Sequence, residues 1–277
     1  MREGHGCSII ALSPSCHLSR AGEDYLKDSR ASRTCIFCDG TPVTKEHVVP
    51  RWVSNALNDD TRFQGSPPPV IHKRRVGSGR IHEWGGEDIN VSAKCVCRIC
   101  NNGWMANIEG RAQRMLKPMI MGRAVSLDAE DQAAVAAWVA LHALLFRYTE
   151  EPFVSPEQDW LQNFRDHQLP PSTCYQWLAA YQGDKTFHYA GHTLDVRRYP
   201  DKPRRPDWET PNGIDVTFVI GHLIANIIWI RIGKPGNLDP PGFVRIWPTT
   251  DMPGSWPPSV IFNDAGVDGI TGRFLSK

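Results

Sequence analysis

"CRICNNGWM", residues 97–105, decides how this chain is read. Two cysteines stand three positions apart, an asparagine follows the second directly, and an apolar helical pattern begins at once. The C-x2-C spacing lets two thiolates of one tight turn reach the same ion. One such pair fills half a tetrahedron. The other half lies upstream in "TCIFCDG", where Cys35 and Cys38 repeat the spacing and Gly40 supports a turn. Four thiolates make a closed, soft donor shell that favours zinc and leaves no position open for catalysis. Cys35, Cys38, Cys97 and Cys100 are therefore expected to hold a structural Zn2+. Cys95, in C-x-C spacing with Cys97, reads as a packed thiol, with substitute ligation as the alternative.

Between the two pairs lies "TKEHVVPRW" (44–52), a short β-like run that Pro50 ends, because proline cannot donate to a sheet ladder. Glu46 on that strand and Asn101 at the first turn of the helix form a hard, oxygen-rich pair. Such donors suit Mg2+ or Mn2+, with His47 placed to act on a water. Neighbours on a regular strand point to opposite faces, so joint service on one phosphate needs irregular backbone or a phosphate straddling the strand end. The plainer alternatives are a surface Glu-His pair and an asparagine that caps the helix. Asn102 is the fallback ligand.

The order C-x2-C, "EHVVPRW", C-x2-C-Asn resembles the HNH, or ββα-metal, endonucleases, in the four-cysteine form found in phage and bacterial proteins. The resemblance covers 32–123, interrupted by a long insertion. It implies phosphodiester hydrolysis with one divalent cation, Mg2+ or Mn2+. It implies His47 as general base and Glu46 and Asn101 as ligands of the catalytic metal. It implies Asn90 as the residue that holds the base, although Asn90 stands seven residues before Cys97, farther than is usual. It favours DNA over RNA as substrate and a setting in phage biology, defence or mobile elements. The C-terminal half lies outside it.

The 277 residues suffice for one large domain or two ordinary ones. A net charge of +1, with 22% charged and 41% hydrophobic residues, reads as globular and excludes a globally basic nucleic-acid binder. Any such surface must be local. Lys73, Arg74, Arg75 and Arg80 supply one candidate, in a stretch (58–88) that reads as a long basic loop able to contact phosphates without reading sequence. "AAVAAWVALHALLF" (133–146) is 14 residues long, short of the roughly 20 a bilayer span needs, and reads as a buried helix. No membrane partner is expected. Clustered rather than dispersed cysteines and the lack of an export pattern point to a reducing cytoplasm.

Residues 1–31 read as a weakly committed leader open to disorder, 32–124 as the nuclease domain, and 125–277 as a helical plus β domain of unassigned role. In the last region Ser126 is the expected cap of a helix that is apolar nearly all round, and "SPEQDWLQNFRDH" (155–167) a second helix. Runs such as "DVTFVIGHL" and "ANIIWIRIG" predict an antiparallel sheet packed on those helices, hence an α+β fold. Target binding, homodimerisation and contact with a protein partner all remain open for this region. His142, His188, His192 and His222 read as structural histidines, and His72 and His82 as solvated loop residues. The competing function is a zinc-dependent nucleic-acid-binding module that does not cut.

Overall fold

The computed structural model describes residues 7–11, 34–59, 70–76, 80–86, 91–148, 156, 158–198, 213–231, 239–251 and 253–272. Strand β1 (Cys7–Ala11) is followed by β2 (Val43–His47), helix α1 (Arg51–Asn58), and strands β3 (Val70–Val76), β4 (Arg80–Gly86) and β5 (Ser92–Cys97). One helical turn, Arg98–Cys100, and a kinked stretch, Asn101–Met105, with Gly103 out of helical geometry, lead into α2 (Ala106–Ile120). Then come β6 (Val125–Leu127), α3 (Ala129–Arg147), α4 (Gln158–His167), and strands β7 (Cys174–Tyr181), β8 (Phe187–Arg198), β9 (Gly213–Ile220) and β10 (Leu223–Ile230). The chain closes with β11 (Val244–Trp247), β12 (Gly254–Trp256), β13 (Ile261–Phe262) and α5 (Asp264–Gly272). Mixed helix and antiparallel sheet make this an α+β fold. Among the described residues no helix is long and apolar enough to cross a membrane.

Helix α3 is the hub. Every residue from Ala134 to Arg147 is buried, as a helix without a polar face requires. It packs against α2 and β5 on one side and against β10 and β11 on the other. The main sheet has the order β1-β8-β9-β10-β7-β11, with β13 also on β7. Every position of β9 and β10 is buried because both faces are covered. Ile214, Val216, Phe218 and Ile220 face the core shared with α3, while Val219 and Ile224 pack with Tyr181 and with Val267 of α5. Buried Asn226 satisfies its amide on Asp215 Oδ1, Val216 O and Thr217 Oγ1. One apolar core runs from Cys35 and Val48 through α3 to Ile246 and Trp256, so packing continues across residues 124–125.

Four local expectations change. The stretch read as a basic loop contains an antiparallel hairpin, β3 with β4, that lies beside β8. Val70, Ile71, Val76, Ile81 and Trp84 favour strands and Gly-Ser-Gly favours a turn, signals that the run of cations concealed. The cap of α3 is Asp128, whose carboxylate accepts from Asp131 N at 2.8 Å, and not Ser126, which belongs to β6 and pairs with Ser255. Within the expected leader, Cys7–Ala11 forms an edge strand on β8. Finally, β13 joins β7 in parallel, the exception in an otherwise antiparallel sheet. Ser155 and the Arg-rich stretch after Arg198 lie outside the described residues.

The end of α2 locks onto the β9–β10 turn, where His222 N donates to Ile120 O at 2.9 Å. That approach needs glycine at 221. Its φ is +55°, and a Cβ there would sit 2.4 Å from Ile120 O. Gly221→Ala is expected to cost about 1–3 kcal/mol through backbone strain and overpacking. Thermal denaturation followed by circular dichroism should show a fall in Tm of several degrees; an unchanged Tm would contradict this account of the turn.

Candidate metal centre

The two cysteine turns are built differently and meet edge to edge. In the first, Cys35 N donates to Gly40 O at 2.9 Å and Asp39 N to Cys35 O at 2.9 Å, which curls the chain around the Cys38 sulfur. Ile36 N donates to Cys95 O at 2.9 Å and docks that turn on β5. In the second, Cys97 ends β5 and its sulfur caps the helical turn, accepting from Cys100 N at 3.5 Å. Cys38 Sγ lies 3.6 Å from Cys97 Sγ and 3.5 Å from Cys100 Sγ. These separations are far beyond a disulfide bond of about 2.05 Å. They lie near the ~3.8 Å edge expected of a tetrahedron with metal–sulfur bonds of about 2.3 Å. All four sulfurs fall within 4.8 Å of one another, and among the described residues this is the one His/Cys/Asp/Glu group of three or more that does so. The four cysteines can therefore hold a metal ion such as zinc.

Burial pushes Cys35 and Cys100 up. Burial also opposes the Cys97 thiolate, but the Cys100 N–H and the neighbouring thiols outweigh it and bring its pKa down to about 7. Cys95 is different: buried at 2% exposure and pushed up to about 12 by burial and the neighbouring charges, it is a packed thiol.

Helix α4 closes over the first turn, an element that the cysteine pattern did not announce. Arg165 Nη1 donates to Phe37 O at 2.9 Å and Gln158 Nε2 to Ile36 O at 3.3 Å. Phe37 meets Trp104 edge-on at 4.8 Å, and Trp104 meets Phe164 at 5.7 Å, so an aromatic column supports the sulfur set from beneath.

Beside the thiols, the Asn101 side chain comes close enough to the Glu46 carboxylate to lower its pKa. The structure thus brings together two of the residues expected to hold a divalent cation. Asn102 is exposed, so Asn101 is the member of the pair turned toward β2. Burial raises the Glu46 pKa and the Asn101 side chain offsets part of the rise. His47 is the last residue of β2, partly exposed and opposite Ser92 in the ladder. The register slips by one residue between Thr44 and Glu46, but the extra residue lies on β5. Glu46 and His47 pair in regular succession with Ala93 and Ser92, so alternation turns their side chains to opposite faces, and joint service on one phosphate needs a phosphate that straddles the strand end. Asn90 lies outside the described residues. Lys73, Arg74, Arg75 and Arg80 lie on β3 and β4, with Lys73 opposite Glu83 and Arg80 opposite Val76.

Two further groups lie near this end of β2. Glu109 lies on α2, eight residues after Asn101. The chain kinks between the two residues at Gly103, whose φ of −97° and ψ of −110° are not helical. Burial, then the charge of Glu46, raise the Glu109 pKa to about 7. His142 of α3 has its Nδ1 2.6 Å from Val48 O and its Nε2 3.9 Å from Glu109 Oε1. Burial holds this imidazole neutral, with its pKa lowered to about 4. The other histidines behave as structural groups. His192 Nε2 contacts Thr271 O at 2.9 Å and His222 Nδ1 contacts Tyr181 O at 3.0 Å. No family model matches the chain, and neither the curated proteins nor the solved structures provide a match.

Cys38 is the sulfur shared by both short S···S approaches, so Cys38→Ser tests the thiolate set most sharply. The variant is expected to lose its bound metal by elemental analysis and to unfold at lower temperature, since ligation couples to folding. A variant that stays folded and metal-free with an unchanged Tm would show that the sulfurs do not form a structural metal site.

Proposed function

We propose that this chain is a zinc-stabilised, metal-dependent endonuclease of the HNH type. It would hydrolyse phosphodiester bonds in nucleic acid, with DNA favoured over RNA. The observation that carries the reading is the approach of the Asn101 side chain to the Glu46 carboxylate, close enough to lower its pKa. It joins a strand residue to the residue directly after the last thiolate ligand, across an antiparallel β2–β5 pair that leads into α2. That is the order of parts in a ββα-metal site.

In this reading the four thiolates hold Zn2+ and serve structure alone. Glu46 and Asn101 hold Mg2+ or Mn2+, which would neutralise charge on the scissile phosphate. His47, on the same strand end, takes a proton from water as the water oxygen forms its bond to phosphorus. The P–O ester bond breaks, and the leaving alkoxide takes a proton from solvent. Asn90 would orient His47. Lys73, Arg74, Arg75 and Arg80, on a hairpin rather than a loop, would hold the phosphate backbone without reading bases. The C-terminal sheet remains available for target, homodimer or protein contacts.

Plasmid nicking in Mg2+ or Mn2+ tests this directly. Wild type should cut and His47→Ala should lose about 10²–10⁴-fold in rate, the usual range for a general base, with an unchanged Tm. Equal cutting by His47→Ala would remove His47 from the mechanism. Absence of cutting on DNA and RNA with every divalent metal, with binding retained, would favour a non-catalytic zinc-dependent binding module.

A further inference from the structure

The buried imidazole of His142 faces its pocket in an unusual state. The side chain is 2% exposed and tilted 40° against the Trp138 ring, 4.1 Å between ring centroids. Its Nδ1 lies 2.6 Å from a carbonyl, Val48 O, and must carry the proton there, because a carbonyl can only accept. Nε2 is then a bare lone pair. It has no hydrogen-bond partner among the described residues, and it stands 3.9 Å from Glu109 Oε1. The lone pair and the Glu109 carboxyl group face each other across 3.9 Å, a gap that a proton on Glu109 or a shared cation would bridge. A ring nitrogen fixed by an N–H···O=C bond on its other side is also how ligating histidines are usually prepared.

The surroundings supply the rest of a coordination sphere. Val48, which anchors His142, is two residues past Glu46. Glu46 is near enough to Asn101 and to Glu109 for the amide to lower its pKa and for its charge to raise that of Glu109. Three elements, β2, α2 and α3, thus bring two carboxylates, an amide and an imidazole toward one place beside the thiolates. Glu46, Glu109 and His142 do not lie within 4.8 Å of one another as a threesome, so the glutamates have to swing inward to close on an ion.

We propose that Glu109 and His142 are further ligands of the divalent cation that Glu46 and Asn101 hold, making a mixed Glu/Glu/His/Asn site selective for Mn2+ over Mg2+. The inference rests on the reading of Glu46 and Asn101 as metal ligands. An imidazole nitrogen suits transition metals, whereas Mg2+ prefers oxygen and water, so the nitrogen sets the metal preference.

The test uses the full chain with its thiolate site filled by zinc, and Mn2+ as the probe. Titration followed by electron paramagnetic resonance should show one Mn2+ site that Mg2+ displaces weakly. Pulsed spectra of the bound Mn2+ should carry a histidine ¹⁴N coupling that persists in His47→Ala and disappears in His142→Gln. Glu109→Gln, at a side chain 25% exposed and so a milder change than His142, should weaken Mn2+ affinity at least 10-fold with an unchanged Tm. Absence of the nitrogen coupling in wild type, its loss in His47→Ala alone, or an unchanged affinity in Glu109→Gln would each overturn the inference. The two proposals fail separately. Cutting without a nitrogen-ligated Mn2+ leaves the nuclease and removes this ligand set, whereas the Mn2+ signature without cutting keeps the ligand set and removes the nuclease.

Discussion

Everything at this site hangs from the meeting of four sulfurs. Cys38 and Cys97 are 59 positions apart, and closing a loop of that length costs about 4 kcal/mol in chain entropy. Local structure cannot recover that cost, because the first cysteine turn contains no helix or strand of its own. A metal bound by both turns would offset it. The same metal would set the phase of the neighbouring elements: β5 must arrive with Cys97 at its end, and the helical turn must begin at Arg98. Asn101 is then delivered to Glu46 by position alone.

The rest of the fold keeps that delivery rigid. Arg165 and Gln158 of α4 hold the carbonyls of the first turn, and Phe37, Trp104 and Phe164 fill the space below. His142 ties the end of β2 to the most buried helix of the molecule through Val48 O. The far end of α2 is fixed by the glycine turn at 221. The C-terminal sheet, whatever it contacts, is therefore part of the scaffold of the site, since one apolar core joins it to the cysteine turns.

Much of this is legible in the sequence, and the rest escapes for physical reasons. The cysteine pairs are legible because ligand spacing is a local property. The α3 helix and the sheet strands are legible because runs of apolar residues that long have few other places to go. The 70–86 hairpin reads as a loop because six of its residues are basic or histidine, and charge masks a β pattern. Asp128 displaces Ser126 as a cap because a tertiary pairing with β12 claims Ser126 for a strand. Glu109 and His142 escape for another reason. Their partnership joins α2 to α3 through space, and each alone reads as an ordinary residue, a helix-face glutamate and a core histidine. The signals that could have raised them are a glutamate next to the apolar Ile108 and a lone histidine in a 14-residue apolar run.

The most direct measurement is X-ray absorption at the zinc edge of the purified chain. One zinc per chain, with four sulfur neighbours at about 2.3 Å, is the result this account requires. A shell containing nitrogen or oxygen, or a folded chain with no metal at all, would contradict it and remove the support on which Glu46 and Asn101 are held together.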